Sequence, residues 1–224
     1  MLNMQECNIV LRNSIVADWK ALSLNTFGTR SLKCERSMAG PDNLSQARER
    51  VTVLLAQRGD RNAFSSLCDL YDRRLLYFIR RILGDSDSTL DVLQCVWLTV
   101  HRKLKNLKSP DAFRVWLYRI AHDAAVTELR KTSRYSRTLE EIPAVPWMES
   151  ANVSETAFDN AELIHLAMQV LTIDHRRVLT LHFLEHMTIE EIAEAIGCSP
   201  GTVKSRLYYA KIALRESIEG MSHE

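Results

Sequence analysis

Hydrophobic side chains recur at steps of three and four residues through residues 45–131, the spacing of amphipathic helices. Ser45 suits the cap of a first helix that extends to about Arg58, and a second periodic stretch ends at Gly84. Four such helices with short connections predict a compact bundle. The apolar stripes of the third and fourth helices are Leu93, Val96, Trp97, Val100 and Leu104, and Phe113, Trp116, Leu117, Ile120, Ala121 and Ala124.

The fourth helix is predicted to begin with Ser109 as its cap and Pro110 in its first turn. Phe113 and Trp116 fall on the apolar stripe, which favours a position in the core. Tyr118 lies off that stripe, so the sequence leaves open whether it lies in the core or on the nucleic-acid-binding surface.

The helical pattern stops at residues 132–158, which contain two prolines and a run of acidic side chains. That stretch is too long for a loop within one compact domain and therefore predicts a linker. A second periodic block follows, with helices predicted near 160–171, 174–185, 188–196 and 200–217. The sequence thus predicts an all-α protein with a poorly ordered extension at 1–44, helical domains at 45–131 and 159–219, and an acidic linker at 132–158.

Residues 188–215 predict two helices joined by a tight turn. Thr188 and Glu191 have the spacing of a capping box, Gly197 suits a left-handed helix end, and Ser199 with Pro200 suits the start of the next helix. This is the plan of a helix-turn-helix, whose second helix enters the major groove of DNA. The alternative is an ordinary helical hairpin with a solvated basic face. The second helix is strongly positive, because residues 200–215 contain no acid and four cations. These cations are Lys204, Arg206, Lys211 and Arg215.

Charge is distributed unevenly although the net charge is only +1. Residues 101–137 hold ten Lys or Arg against three acids, a net of +7, whereas 138–162 hold six acids and no base. A basic segment with aromatic residues suits single-stranded nucleic acid. The five cysteines form no CxxC pair, and no apolar run approaches the length of a membrane span, so we expect reduced thiols, no membrane partner and a cytoplasmic location.

Residues 45–217 resemble the extracytoplasmic-function sigma factors, small members of the sigma-70 family of bacterial transcription initiation factors. The resemblance implies a region 2 domain, a linker and a region 4 domain, with core RNA polymerase, promoter DNA and often an anti-sigma factor as partners. It implies no cofactor and no active site. The strings that carry it are AFSSLCDLYDRRLLYFIRRILGD, DVLQCVWLTVHRKL, SPDAFRVWLYRIAHDAAVTELRK and TIEEIAEAIGCSPGTVKSRLYYAKIALR.

The resemblance also implies three sets of site residues. The polymerase-binding set is Asp91, Leu93, Gln94 and Trp97. The set that opens and holds the −10 element lies in the loop Lys105–Asp111 and the following helix, and comprises Lys105, Asn106, Lys108, Trp116, Arg119, Arg130 and Lys131. The set that binds the −35 element is Ser199, Thr202, Lys204, Ser205, Arg206, Tyr208 and Tyr209, in which Thr202 and Arg206 match phosphate contacts. The acidic linker resembles segments that thread the RNA channel of the polymerase; a solvated tether is the alternative.

Four positions depart from the family pattern. Cys95 follows Gln94 where glutamate is common, and Asp123 and Thr127 stand where asparagine and aspartate are common. Tyr209 replaces an arginine of the recognition helix, and tyrosine cannot make the bidentate contact that arginine makes with guanine. The promoter sequence of the family therefore does not transfer to this chain.

Other classes of function remain open at this stage. The string His182–His186 fits the H-x-x-E-H pattern of certain zinc peptidases, although it runs into the Thr188 cap and no third ligand is evident. A regulator that binds duplex DNA without polymerase, or an adaptor that lost promoter recognition, would also carry a helix-turn-helix. Residues 1–40 indicate no function, and Met38 is an alternative start of the chain.

Overall fold

The structure is a computed structural model that describes residues 43–84, 86, 88–138 and 160–221. Within these residues every regular element is helical, which confirms the predicted all-α fold. Most of the predicted N-terminal extension and of the acidic linker lie outside the described residues. The α-helices are α1 (Asn43–Gln57), α2 (Arg61–Leu83), α3 (Ser88–Lys103), α4 (Phe113–Thr138), α5 (Asn160–Val170), α6 (Ile173–Leu179), α7 (Ile189–Ile196) and α8 (Pro200–Met221).

Between residues 43 and 138, helix starts and ends differ from the sequence prediction at three places. Helix α1 already includes Asn43, so Ser45 lies inside its first turn and is not its cap. Ser109 has the extended backbone of a cap, but its side chain makes no capping bond, because a 3₁₀ turn at Pro110–Ala112 precedes α4. Helix α4 continues past the predicted domain end at residue 131 as far as Thr138.

Helices α1–α4 form the N-terminal bundle, which has an aromatic core. The rings of Tyr71 and Phe113 lie 5.7 Å apart, and those of Phe78 and Tyr118 lie 5.3 Å apart, both edge to face. All four rings are fully buried. The placement of Phe113 in the core is confirmed, and Tyr118, which the sequence left open, also lies in the core. The Tyr118 ring packs against Phe78, and the side chain also lies close to Arg74 and to Glu185, which is distant in sequence.

Helices α5–α8 form the C-terminal module, which contains the helix-turn-helix. Both bonds of the capping box are present, since Thr188 Oγ1 accepts from Glu191 N and the Glu191 carboxylate accepts from Thr188 N. Gly197 adopts φ 68° and ψ 41°, the left-handed region, and its N–H donates to the Ala193 carbonyl. Ser199 Oγ accepts from Thr202 N at 3.1 Å and begins α8. Local sequence chemistry therefore specifies this turn completely.

A π-helical turn at Thr180–Leu184 interrupts the path from α6 to α7. Its closing bond runs from Glu185 N to the Thr180 carbonyl, one residue longer than an α-helical bond. His186 follows in a left-handed conformation with φ 50°. The sequence predicted an unbroken helix at 174–185, and the turn redirects Glu185 into a buried position.

The two modules pack directly on each other, α7 against α4 and α6 against α2. The contact is ionic at its centre, where Arg74 Nη2 lies 2.7 Å from the buried Glu185 carboxylate. Arg114 Nη1 donates to the Glu185 carbonyl at 3.1 Å, and Arg114 Nη2 lies 3.3 Å from Glu191. We call these three contacts the module interface.

Candidate nucleic-acid interface

The recognition helix α8 presents a polar and aromatic face to solvent. Lys204, Ser205, Tyr208 and Tyr209 are all exposed, with Tyr208 and Tyr209 exposed by 62% and 60%. Their spacing places them on adjacent ridges of one helix face. An exposed tyrosine offers its hydroxyl for polar contacts and its ring for apolar contacts. The structure thus brings together four of the residues that the sequence singles out for duplex DNA.

The remaining −35 candidates are already engaged within the C-terminal module. Ser199 serves as the cap of α8, and its hydroxyl lies 2.9 Å from that of the half-buried Thr202. Arg206 Nη2 lies 2.6 Å from the Asp174 carboxylate, which also pairs with Arg177. Arg206 is therefore already paired with a carboxylate and would have to release it to bind any other anion.

Arg177 carries the same network across to the N-terminal bundle. Its Nη1 lies 2.6 Å from Nε2 of the buried His122, and Nδ1 of His122 lies 3.3 Å from Asp123. An arginine can only donate, so His122 Nε2 is the acceptor and the ring is neutral. Burial, followed by the charge of Arg177, lowers the pKa of His122 below its ordinary value of 6.5. A continuous line of side chains therefore joins α4 to the recognition helix.

The loop between α3 and α4 carries exposed cations. Lys105, Asn106 and Lys108 are exposed, whereas Leu104 is buried in the core. A cavity of about 450 Å³ lies beside this loop, in the size range of small-ligand pockets. Cationic, aromatic, small and apolar residues line this cavity. The lining residues are Ala56, Gly59, Asp60, Arg61, Phe64, His101, Arg102, Leu104 and Lys105.

Helix α4 continues the cationic surface from this loop. Arg119 and Arg130 are exposed, and the exposed Lys131 lies 3.1 Å from Glu128 in a surface pair of the kind that contributes little. Trp116 is half-buried, with its ring centroid 6.2 Å from that of Phe113. Trp116 therefore has one face in the core and part of its surface in solvent.

The polymerase candidates on α3 divide into two kinds. Asp91 and Gln94 are exposed, whereas Leu93 packs against the core and Trp97 donates from Nε1 to the Asp72 carboxylate. Leu93 and Trp97 thus contribute mainly to the bundle itself.

Two leucines on α3 complete the exposed face and were missed in the sequence. Leu90 and Leu98 are 57% and 55% exposed, although leucine normally lies in a core. Each leucine is four residues from Gln94, so all three side chains share one helix face. A search for apolar stripes of the core does not detect leucines on an exposed face. The exposed face of α3 is therefore Leu90, Asp91, Gln94 and Leu98, with both apolar and polar groups.

The zinc-peptidase pattern does not assemble as its chemistry requires. Glu185, the residue that would activate water, is only 3% exposed and pairs with Arg74. Nδ1 of His182 lies 3.2 Å from the Met187 carbonyl. Within the described ranges, no three side chains of the metal-binding types come together.

Fold and site define a DNA-binding factor with two helical modules, and the family comparisons agree. Residues 67–135 match Sigma-70 region 2, and residues 161–214 match Sigma-70, region 4. The RNA polymerase sigma-H factor of Pseudomonas aeruginosa is 30% identical over 81% of this chain and 99% of its own length. The ECF RNA polymerase sigma-E factor of Escherichia coli K12 is 27% identical, over 78% of this chain and 96% of that protein.

The chain belongs to the sigma-70 family of RNA polymerase sigma factors, in its extracytoplasmic-function group. Solved structures share its fold. CnrH in complex with the cytosolic domain of CnrY has a TM-score of 0.54 at 20% identity, over 77% of this chain and 97% of that one. RpoE bound to the anti-sigma factor NepR from Bartonella quintana also scores 0.54, at 22% identity, over 70% and 96%. Among the described helices, none has the length and hydrophobicity needed to cross a membrane.

Proposed function

We propose that this sigma factor docks on core RNA polymerase through the exposed face of α3, opens the −10 element with the α3–α4 loop and α4, and binds the −35 element with α8. The observation that carries the proposal is the composition of the N-terminal bundle. It has both an exposed mixed face on α3 and an exposed cationic loop, and a DNA-binding regulator that acts alone needs neither. The alternative of such a regulator is therefore not favoured.

The α3 face suits a protein partner. Leu90 and Leu98 offer apolar area, and Asp91 and Gln94 between them offer hydrogen-bonding groups. Interfaces of moderate size combine an apolar centre with polar groups in this way. Leu93 and Trp97 support the face from below.

The α3–α4 loop suits a melted strand. Lys105, Asn106 and Lys108 reach solvent beside a cavity with cationic walls and the Phe64 ring. Phosphates are neutralised by such cations, and extruded bases stack on such rings. Trp116, Arg119, Arg130 and Lys131 extend this surface along α4, which gives a displaced strand a continuous path.

The recognition helix suits duplex DNA. Lys204, Ser205, Tyr208 and Tyr209 would face the base edges, with Thr202 and Arg206 toward phosphates. Because Tyr209 stands where the family has arginine, we expect a −35 sequence that lacks the guanine read by that arginine.

The partners and location follow from the same role. Nucleotide chemistry belongs to the polymerase, so the factor needs no active site or cofactor and acts in the cytoplasm. Two fold relatives are solved with a second protein bound, in one case a named anti-sigma factor. An inhibitory protein that binds this chain is therefore part of the proposal.

Transcription with purified core RNA polymerase tests the proposal directly. We expect protein-dependent run-off transcripts from a small set of genomic fragments. The variant Asp91→Ala/Gln94→Ala should bind core polymerase at least tenfold more weakly while its thermal unfolding is unchanged, since both side chains are exposed. The matched control is Gln46→Ala/Asp69→Ala, an exposed amide and carboxylate on α1 and α2. A factor that binds duplex DNA but never core polymerase would establish the regulator alternative.

A further inference from the structure

Gln57, the last residue of α1, contacts the backbone of the α3–α4 loop. Its side-chain Nε2 donates to the Leu104 carbonyl at 3.1 Å and to the Leu107 carbonyl at 2.8 Å. Both hydrogens of the amide are thus used, and the side chain is partly buried. Gln57 lies about 50 residues before the loop in the sequence, and the sequence alone does not connect it with nucleic acid.

These two bonds fix the loop at the point where its cations emerge. The Leu107 N–H also donates to the Leu104 carbonyl at 3.1 Å, which closes a 3₁₀ turn around Lys105 and Asn106. A second polar contact between α1 and this loop region is the exposed pair Arg50–Asp111 at 3.6 Å, which is weak. The amide of Gln57 is therefore the main polar tie between α1 and the loop among the described residues.

We propose that Gln57 is a positioning residue for capture of the melted strand: it holds the α3–α4 loop in the form that discriminates among bases. This inference rests on the proposed function of the loop. Extrusion of a base costs unstacking energy, and a loop that still had to become ordered would add a conformational cost of its own. A loop ordered in advance by Gln57 avoids that second cost. Sequence-independent attraction by Lys105 and Lys108 does not need it, because charge acts at a distance.

The test uses holoenzyme assembled from the full chain and core polymerase. The probes are the single-stranded −10 segment of a promoter that gives a run-off transcript, and a scrambled strand of the same length and composition. For Gln57→Leu, we expect the ratio of the affinity for the −10 strand to that for the scrambled strand to fall about tenfold. A change of this size corresponds to the free energy that two hydrogen bonds contribute. Affinity for the scrambled strand should not change, since every cation remains. The control Gln46→Leu makes the same replacement at an exposed position of α1 and should keep the wild-type ratio.

A second variant separates positioning from a loss of folding. Gln57→Glu keeps the shape of the side chain but presents acceptors to two carbonyl oxygens, so it should lower the ratio at least as far at neutral pH. If both variants fold and keep the wild-type ratio, or lose affinity equally for both strands, Gln57 has no positioning role. If wild-type holoenzyme itself does not discriminate between the strands, the proposed function of the loop fails instead.

Discussion

At the scale of single residues, His122 is the titratable group on which the line of contacts from α4 to α8 depends. The groups that face it are Arg177 of α6 and, on its own helix, Asp123 and Arg130. Protonation would remove the Nε2 acceptor and place a second cation 2.6 Å from Arg177. The nearby Asp123 only partly offsets this cost, and the pKa of His122 is accordingly lowered.

We therefore predict that protein stability depends on pH through His122. Because the pKa of His122 in the folded protein is below the ordinary 6.5, the unfolded chain binds the proton more readily than the folded protein does. The free energy of unfolding should be highest above pH 6.5 and fall as the pH drops below it. His122→Gln keeps an acceptor at the position of Nε2 for Arg177 but cannot titrate, so its unfolding free energy should fall less. Urea denaturation at pH 7.5 and 5.5 measures the difference, and equal pH dependence of the two proteins would contradict it.

At the scale of elements, the helix-turn-helix depends most strongly on Gly197. Its φ of 68° lies in the left-handed region, where a side chain raises the backbone energy. A Cβ added there would meet nothing within 4 Å, so the cost of a larger residue is conformational and not steric.

Gly197→Ala should accordingly lower the free energy of unfolding by about 1 kcal/mol. Gly220→Ala is the matched control, because that glycine lies in α8 without a positive φ and also faces open space. Alanine favours helix there, so stability should stay equal or rise. Urea denaturation measures the free energy of unfolding of both variants and of the wild type. Equal stability of Gly197→Ala and wild type would show that the turn does not require glycine.

Elements of this kind were predictable from sequence because their determinants lie close together. The cap Thr188, its partner Glu191 and the stop at Gly197 fall within ten residues, and each bond is present. The burial of Tyr118 and of Glu185 was not predictable, since their partners Phe78 and Arg74 are distant in sequence. Gln57 was missed for the same reason: its carbonyl partners lie 47 and 50 residues away. Of the candidate site, the exposed polar residues could be foreseen, whereas the exposed Leu90 and Leu98 and the ion pair of Arg206 could not.

At the scale of the whole molecule, the module interface conflicts with simultaneous binding of two promoter elements. Helices in contact have axes about 8–10 Å apart, so α8 lies roughly 20 Å from α4 through the intervening α7. Elements at −10 and −35 are centred about 85 Å apart at 3.4 Å per base pair. Modules that bind both elements at once would therefore have to separate, which would break the Arg74–Glu185 and Arg114–Glu191 pairs.

A charge exchange tests whether these pairs hold the free protein closed. Glu185→Lys places a cation beside Arg74 and Arg114, and we expect small-angle X-ray scattering to show a larger radius of gyration than for wild type. Adding Arg74→Glu restores opposite charges and should return the radius toward the wild-type value. Circular dichroism checks that helix content is kept in both variants. An unchanged radius in Glu185→Lys would mean that other contacts hold the modules together.

The π turn at Thr180–Leu184 has a consequence for the history of this chain. A π turn is equivalent to one residue inserted into an α-helix, and each residue of an α-helix turns the following side chain by about 100°. Loss of a single codon within this stretch would let α6 continue regularly, and the residue now at 185 would still face Arg74, because the wider turn uses one more residue for about the same rotation. The extra residue can thus be gained or lost in a single evolutionary step while the modules keep the Glu185–Arg74 pair.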